Sequence, residues 1–290
     1  MAANLVTKFQ PYVDEMFTTE SKKSLLTNND FEWTGAHTIK AHKVNTVPMT
    51  DYDRDGSGVG VAPEEGEPVV WSRYGALGTV ENTLEEFTLT KDRSFTFVID
   101  KLDKDETGGV LSGASALARQ QREVIIPEID TYVYGKMAAG AGTKKTTVTL
   151  SADNIYDEII EGNNALDDAE VPDTGRILVV TPDTHLLMKR STDIVMETDI
   201  SAEMRLQGVI ANLDGLTVIK VPKKRLPANF GFMIAHPVAT VAPTKLEEYK
   251  THQDPPGISG ELVEGRIVYD AFVLDNKKMA IYYCENKPSA

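Results

Sequence analysis

The stretch Met49–Val80 constrains this chain more than any other. It is crowded with glycine, proline, aspartate and glutamate, is poor in apolar residues, and lies between two segments of strand character. A structureless insertion of this length does not sit inside a compact domain unless it has a task. Its apolar residues, Val69, Val70, Trp71 and Leu77 among them, are too few for a core of their own. The segment is therefore expected to project as a loop or hairpin and to bury those residues against something outside its own domain. Trp71 and Tyr74 favour that reading, because large aromatics gain little in a free loop and much in an interface.

The flanking segments carry clearer periodicities. Residues 1–30 form a polar arm anchored at Leu5, Phe9, Val13 and Phe17, at helical spacing, with Pro11 breaking the helix. Residues 36–100 read as β. Val44, Thr46 and Val47 run into Pro48, and Phe95, Phe97 and Ile99 alternate with Thr96, Val98 and Asp100. Residues 114–139 read as one long helix with Leu117, Val124, Ile125, Ile129, Val133 and Met137 near one face. Pro127 is expected to kink or split it, and Gly140-Ala141-Gly142 to end it. Residues 146–238 alternate strand and helix. Ser151 is read as a helix N-cap, Arg176–Val180 as a buried strand, and Thr181-Pro182-Asp183 as a helix start. Residues 262–284 read as a β-hairpin turning at Asp275-Asn276.

Charge and composition exclude several classes. With 44 acidic against 30 basic side chains the formal charge is -14, the wrong sign for a protein that grips nucleic acid by its sequence. The same charge keeps free subunits apart, so any assembly has to overcome it with buried apolar area, salt or divalent ions. Cys284 is the only cysteine, which forbids an intrachain disulfide and suits a reducing cytosol. The apolar runs are too short to span a bilayer.

No catalytic motif survives inspection. Asp51, Asp53 and Asp55 imitate the start of a calcium loop, but its twelfth position is Ala62 where a glutamate is needed. These three carboxylates are the one candidate cation site. Gly140 to Thr146 fails the phosphate-loop spacing and follows a helix instead of a strand. The five histidines form no chelating pair; His37 and His42 point to opposite faces of a strand. Nothing singles out an acid/base pair, and no cofactor is implied.

The order of parts carries a resemblance: arm, long β loop, long helix, α/β region, late β segment. It is similar to the major capsid proteins of tailed bacteriophages with the Hong Kong 97-type fold. The strings that support it are Asn28–Ile39, Tyr52-Asp53-Arg54 before Gly56, Lys91–Phe95 followed by Ile99-Asp100, Arg122–Tyr132, and Gly265–Val273. The resemblance implies an α+β fold in five parts. These are an N-terminal arm (1–35), an extended loop with its flanking strands (36–100), and the spine helix of a peripheral domain (101–145). An axial domain (146–238) and the completion of the peripheral domain (239–290) follow. It implies a shell subunit forming pentamers and hexamers of an icosahedral or prolate head around double-stranded DNA, and not an enzyme. The implied partners are further copies of itself, a separate scaffolding protein, a portal and a decoration protein, with packaged DNA held without specific recognition and no membrane. The residues it implies at subunit interfaces are Leu5, Phe9 and Phe17 on the arm. On the loop they are Tyr52, Asp53, Arg54, Trp71, Arg73 and Tyr74. On the body they are Asp92, Arg93, Arg119, Arg122, Glu128 and Asp130.

Some relatives weld their shells through a loop lysine. No lysine lies between Lys43 and Lys91 here, so a shell without such crosslinks is expected. The inner face is expected to be neutral or acidic, so that DNA does not stick. The alternatives are a nanocompartment shell of the same fold and a soluble acidic enzyme.

Overall fold

The computed structural model describes residues 20–28, 38–57, 72–75, 79–107, 112–191 and 209–287. The expectations for Leu5, Phe9, Phe17, His37 and Trp71 lie outside these residues. By contact density the chain divides into two units, residues 35–88 and residues 1–34 with 89–290.

The smaller unit is a hairpin. Strand β1 (Thr38–Val44) pairs antiparallel with β2 (Asn82–Thr88), Thr38 opposite Thr88 and Val44 opposite Asn82. β1 stops at Val44 instead of running on to Val47, short of Pro48, which lacks the amide a continuing ladder would need. The two arms stay hydrogen-bonded beyond the strands, through the amide of Asn45 on the Glu81 carbonyl (3.0 Å) and that of Asp53 on the Arg73 carbonyl (2.9 Å).

The larger unit opens with β3 (Lys91–Asp100), where the alternation read from the sequence appears as burial. Phe95, Phe97 and Ile99 are covered, and Thr96, Val98 and Asp100 are exposed. Asp100 then caps the short helix α1 (Lys101–Glu106) by accepting from the Leu102 amide at 2.8 Å. The long helix is one continuous helical stretch with a fault in it. Helix α2 (Gly113–Gln120) leads into a wider π turn at Gln121–Ile125 and then α3 (Ile126–Gly140). The fault falls just before Pro127, which cannot donate to the Glu123 carbonyl that a regular helix would offer it. The chain absorbs the defect by widening one turn, with the Ile126 amide on the Gln121 carbonyl. The expected kink is thus a π bulge.

Strand β4 (Thr143–Val148) and helix α4 (Ile155–Asp168) follow. Ser151 does not cap α4. Asn154 stands at the cap, and its Oδ1 accepts the Ser151 amide at 2.8 Å, closing a turn ahead of the helix. Strand β5 (Ile177–Val180) is buried throughout. Helix α5 (Pro182–Arg190) starts as the sequence foretells, with the Thr181 hydroxyl accepting from the Thr184 amide at 3.0 Å and Pro182 in the first turn. Then come β6 (Val209–Leu213), β7 (Leu216–Lys220), β8 (Phe230–Ala235), β9 (Thr240–Val241), β10 (Thr244–Gln253), β11 (Gly260–Tyr269), β12 (Phe272–Val273) and β13 (Ile281–Asn286).

These strands form a mixed six-stranded sheet in the order β4-β13-β8-β5-β7-β6 and an antiparallel three-stranded sheet in the order β10-β11-β3. The hairpin expected over 262–284 does not exist: β11 pairs with β10 and β3, and β13 pairs with β4 and β8. Asp270 ends β11, residues 272–273 pair with β9, and Asp275–Ala280 is a 3₁₀ helix instead of a tight turn. One apolar cluster runs from the long helix (Val133, Tyr134, Met137) through α4 (Ile155, Ile159) to β5, β8 and β13. It holds the larger unit together.

Candidate assembly surfaces

In the hairpin unit, Tyr52 and Tyr74 face each other edge to face at 5.1 Å. Both are exposed, Tyr74 by 78%. Around them the backbone is pinned: the Thr50 hydroxyl donates to the Tyr74 carbonyl at 2.6 Å, and Arg73 Nη1 to the Arg54 carbonyl at 3.3 Å. The expected loop residues Tyr52, Asp53, Arg54, Arg73 and Tyr74 are thus brought together. They form no cation site. The Asp53 carboxylate is taken up by the Gly56 amide at 2.8 Å, and among the described residues no group of three or more metal-binding side chains converges. The candidate Asp51, Asp53 and Asp55 site is corrected to a hydrogen-bonded turn, with Gly56 at φ +70°.

On the larger unit, charged pairs connect the long helix to β3 and β11. Arg93 Nε donates to Glu128 Oε1 at 2.8 Å, and the Tyr269 hydroxyl approaches the same oxygen at 3.3 Å. Burial and the neighbouring Glu128 push the Tyr269 phenol up to about 12. Arg266 grips Asp92 with two nitrogens, at 2.9 and 2.5 Å, and that hydrogen bond holds the Asp92 carboxyl below its ordinary value. Arg119 lies 3.7 Å from Glu123 one helical turn on. Arg122 is exposed.

Asp130 is not at the surface. It is 1% exposed and holds three parts of the chain together. Its Oδ1 accepts from the Ser21 hydroxyl at 2.6 Å, and its Oδ2 from Arg225 Nη1 at 2.8 Å. Its expected place at an interface is therefore corrected to an internal tie between the arm, the long helix and the loop after β7. The signal was in the helix: Asp130 lies three, four and seven residues before Val133, Tyr134 and Met137, which are all buried.

The sequence reading placed Arg176 in a buried strand but named no partners for it or for a second buried charge, Asp270. Arg176, 2% exposed, reaches Asp167 at 2.6 Å, the Asn163 side chain at 2.7 Å and the Val171 carbonyl at 2.5 Å. Asp270 accepts from the Thr90 amide (2.8 Å) and hydroxyl (2.7 Å), the Tyr132 hydroxyl (2.7 Å) and the Ala271 amide (2.8 Å). Both sit beside or within an apolar run, where a lone charge has to find partners. Cys284 is buried, and burial pushes its thiol up to about 12, so it is an inert core residue. Among the described residues no helix is long and apolar enough to cross a membrane.

Comparison with known proteins agrees with this architecture. A chain of Mycobacterium phage Che8 shares 17% identity with a TM-score of 0.72, over 98% of each chain. A chain of the mature capsid of bacteriophage PhiM1 shares 16% identity with a TM-score of 0.68, over 98% of this chain and 93% of that one. A virus-like particle from Pyrococcus furiosus shares 12% identity with a TM-score of 0.52, over 92% of each chain. At these identities the likeness establishes the fold, the α+β fold of capsid subunits that the sequence led us to expect. No curated protein sequence matches the chain. The family described as phage capsid protein matches residues 83–283. That match covers well over half of the 290 residues, and the chain therefore belongs to the phage capsid protein family.

Proposed function

We propose that this capsid protein is the major subunit of a tailed-phage head, forming pentamers and hexamers that close around double-stranded DNA. One observation carries the reading beyond family membership. Of the thirteen large apolar side chains left exposed among the described residues, seven (Val44, Val47, Met49, Tyr52, Tyr74, Val80 and Leu84) lie in the much shorter hairpin unit. Such a concentration on a slender element needs a partner surface, and further copies of the chain supply one. In this reading residues 35–88 are the extended loop, the stretch 113–140 is the spine helix, and the six-stranded sheet carries the axial domain. The acidic balance suits a container whose contents must not adhere to it. A scaffolding protein, a portal and a decoration protein belong to the same proposal.

The test is electron microscopy of the purified protein, expressed alone and together with the genes beside it. Closed shells, tubes or capsomers are expected, with nuclease-protected DNA in particles from infected cells. Monomers under both conditions would overturn the assignment. The likeness to the Pyrococcus furiosus virus-like particle supports a second reading, a nanocompartment shell. A protein cargo co-purifying in place of DNA would favour it.

A further inference from the structure

The chain carries 14 more acidic than basic side chains, yet positive charge gathers at one place on the larger unit. Three elements meet there. Helix α5 presents His185 and Lys189, one turn apart and so on one face, and ends in an exposed Arg190. Lys220, also exposed, closes β7 opposite Val180, the end of the strand that leads into α5. The arm crosses the same spot, where Lys22 Nζ donates to the Lys220 carbonyl at 3.0 Å.

These charges act on one another. Burial and then Lys220 hold the Lys22 ammonium below its ordinary value, and burial, Lys189 and Lys220 do the same to the His185 imidazole. Among the described residues no ion pair joins Lys189, Arg190 or Lys220 to a carboxylate, and Asp183 in the first turn of α5 is taken by Lys223. The helix end accounts for Lys189 and Arg190, because cations there offset the helix dipole. Nothing in the fold accounts for Lys220, and laying Lys22 over it costs electrostatic free energy that an anion bound from outside would recover.

We propose that this patch is a contact for the phosphate backbone of double-stranded DNA and that it faces the lumen of the shell. The inference rests on the shell reading and adds a site to it. Three of the four cations are lysines, whose compact ammonium groups suit phosphate oxygens, whereas planar carboxylates favour the arginine fork. No Phe, Tyr or Trp occurs in residues 20–28, 182–190 or 216–225, so nothing there stacks on bases and the contact is blind to sequence. One small patch per copy on an otherwise acidic chain gives a weak contact, repeated over the wall, that orders the outermost duplex without holding it fast.

The unassembled subunit and a short mixed-sequence DNA duplex test the patch, while microscopy of wild-type particles tests the shell reading separately. Wild type is expected to bind the duplex at low salt, with a slope of log affinity on log salt of about −3, at about 0.9 for each phosphate met. Lys189→Gln with Lys220→Gln is expected to melt with wild type, to bind at least tenfold more weakly, and to shrink the slope by about 2. Lys245→Gln with Lys278→Gln removes the same charge from exposed positions elsewhere and is expected to bind as wild type does. Equal weakening in that control would overturn the proposal, by making the attraction a matter of net charge. So would a wild-type subunit that ignores the duplex, or one that binds polyglutamate more tightly, which would assign the patch to an acidic protein. In particles, the Lys189 and Lys220 variant is expected to form normal shells that release packaged DNA more readily as salt is raised. Failure of that folded variant to close shells would make the patch a contact between subunits and overturn the proposal too.

Discussion

The two units of this molecule solve opposite problems. In the larger unit apolar side chains are consumed internally: β5 and β8 are buried along their whole length, and Val133, Tyr134 and Met137 tie the long helix to the same core. Charges that enter that core are paired, as Asp130 is with Arg225 and Arg176 with Asp167. In the hairpin unit Phe87 is the one buried apolar residue among those described, while Met49 is 99% exposed. The backbone of this unit is nonetheless specified, by a seven-pair register and by the hydrogen bonds of Thr50, Asp53 and Arg73. Order without burial is what an element needs if its apolar surface is reserved for a neighbour. The larger unit supplies stability, and the hairpin unit supplies unspent surface.

That contrast predicts where substitutions will be felt. The largest effect is expected at the buried tie. Asp130→Ala removes the carboxylate that Arg225 meets in the core, and loss of one partner of a buried ion pair costs about 3–5 kcal/mol. It also frees Ser21, so the start of the described arm detaches. Chemical denaturation of the unassembled subunit measures the first effect, and limited proteolysis near residue 21 the second. Wild-type stability in the variant would break the comparison, because the core would then not depend on its internal charges.

A middling effect is expected at Asp270, which receives four donors from β3's lead-in, the long helix and its own neighbour. Burial pushes this carboxyl's pKa up, but the hydrogen bonds from Tyr132, Thr90 and Ala271 outweigh it and leave the group below the ordinary carboxylate value. A depressed folded pKa means stability that is fully present above the unfolded value of about 3.9 and is lost as the pH falls through the lower folded value. Asp270→Asn keeps the shape but cannot accept from all four donors, so a loss of about 1–3 kcal/mol is expected at neutral pH. The stability curve of the variant should also be flatter than wild type below about pH 4. An unchanged acid slope would show that Asp270 is not the group that titrates.

Much of this was legible in the sequence, and the missed strand pairings share a cause. The alternation Phe95, Phe97, Ile99 and the start Thr181-Pro182-Asp183 are local patterns, and both appear where expected. Pairing partners are not local. The apolar run from Ile267 to Leu274 and the run from Ile281 both announce burial, but nothing in them says that β11 joins β3 while β13 crosses to β4 and β8. Asp130 is a different case: the resemblance put it at an interface, whereas the helical phase it shares with Val133 and Met137, a local signal, places it inside. In the loop, the structure brings Tyr52, Arg54, Arg73 and Tyr74 together through contacts that no periodicity encodes.

The smallest effect on stability, and the sharpest test of the comparison, is expected in the hairpin unit. Met49→Ser and Tyr74→Ser remove apolar surface that the subunit does not bury. Surface substitutions of this kind change folding stability by no more than about 0.5 kcal/mol. The edge-to-face contact of Tyr74 with Tyr52 contributes no more than about 0.5–1.5 kcal/mol in the best geometry, and less where both rings are solvated. A chain whose hairpin apolar groups are incidental would therefore behave like wild type in every respect. A chain that reserves them for a neighbour would keep its melting temperature and lose assembly. The double variant should accordingly show an unshifted unfolding transition and a raised concentration threshold for particle formation, measured by light scattering. A large drop in melting temperature would instead mean that the hairpin contributes to the subunit's own core, and the division between the two units would fail.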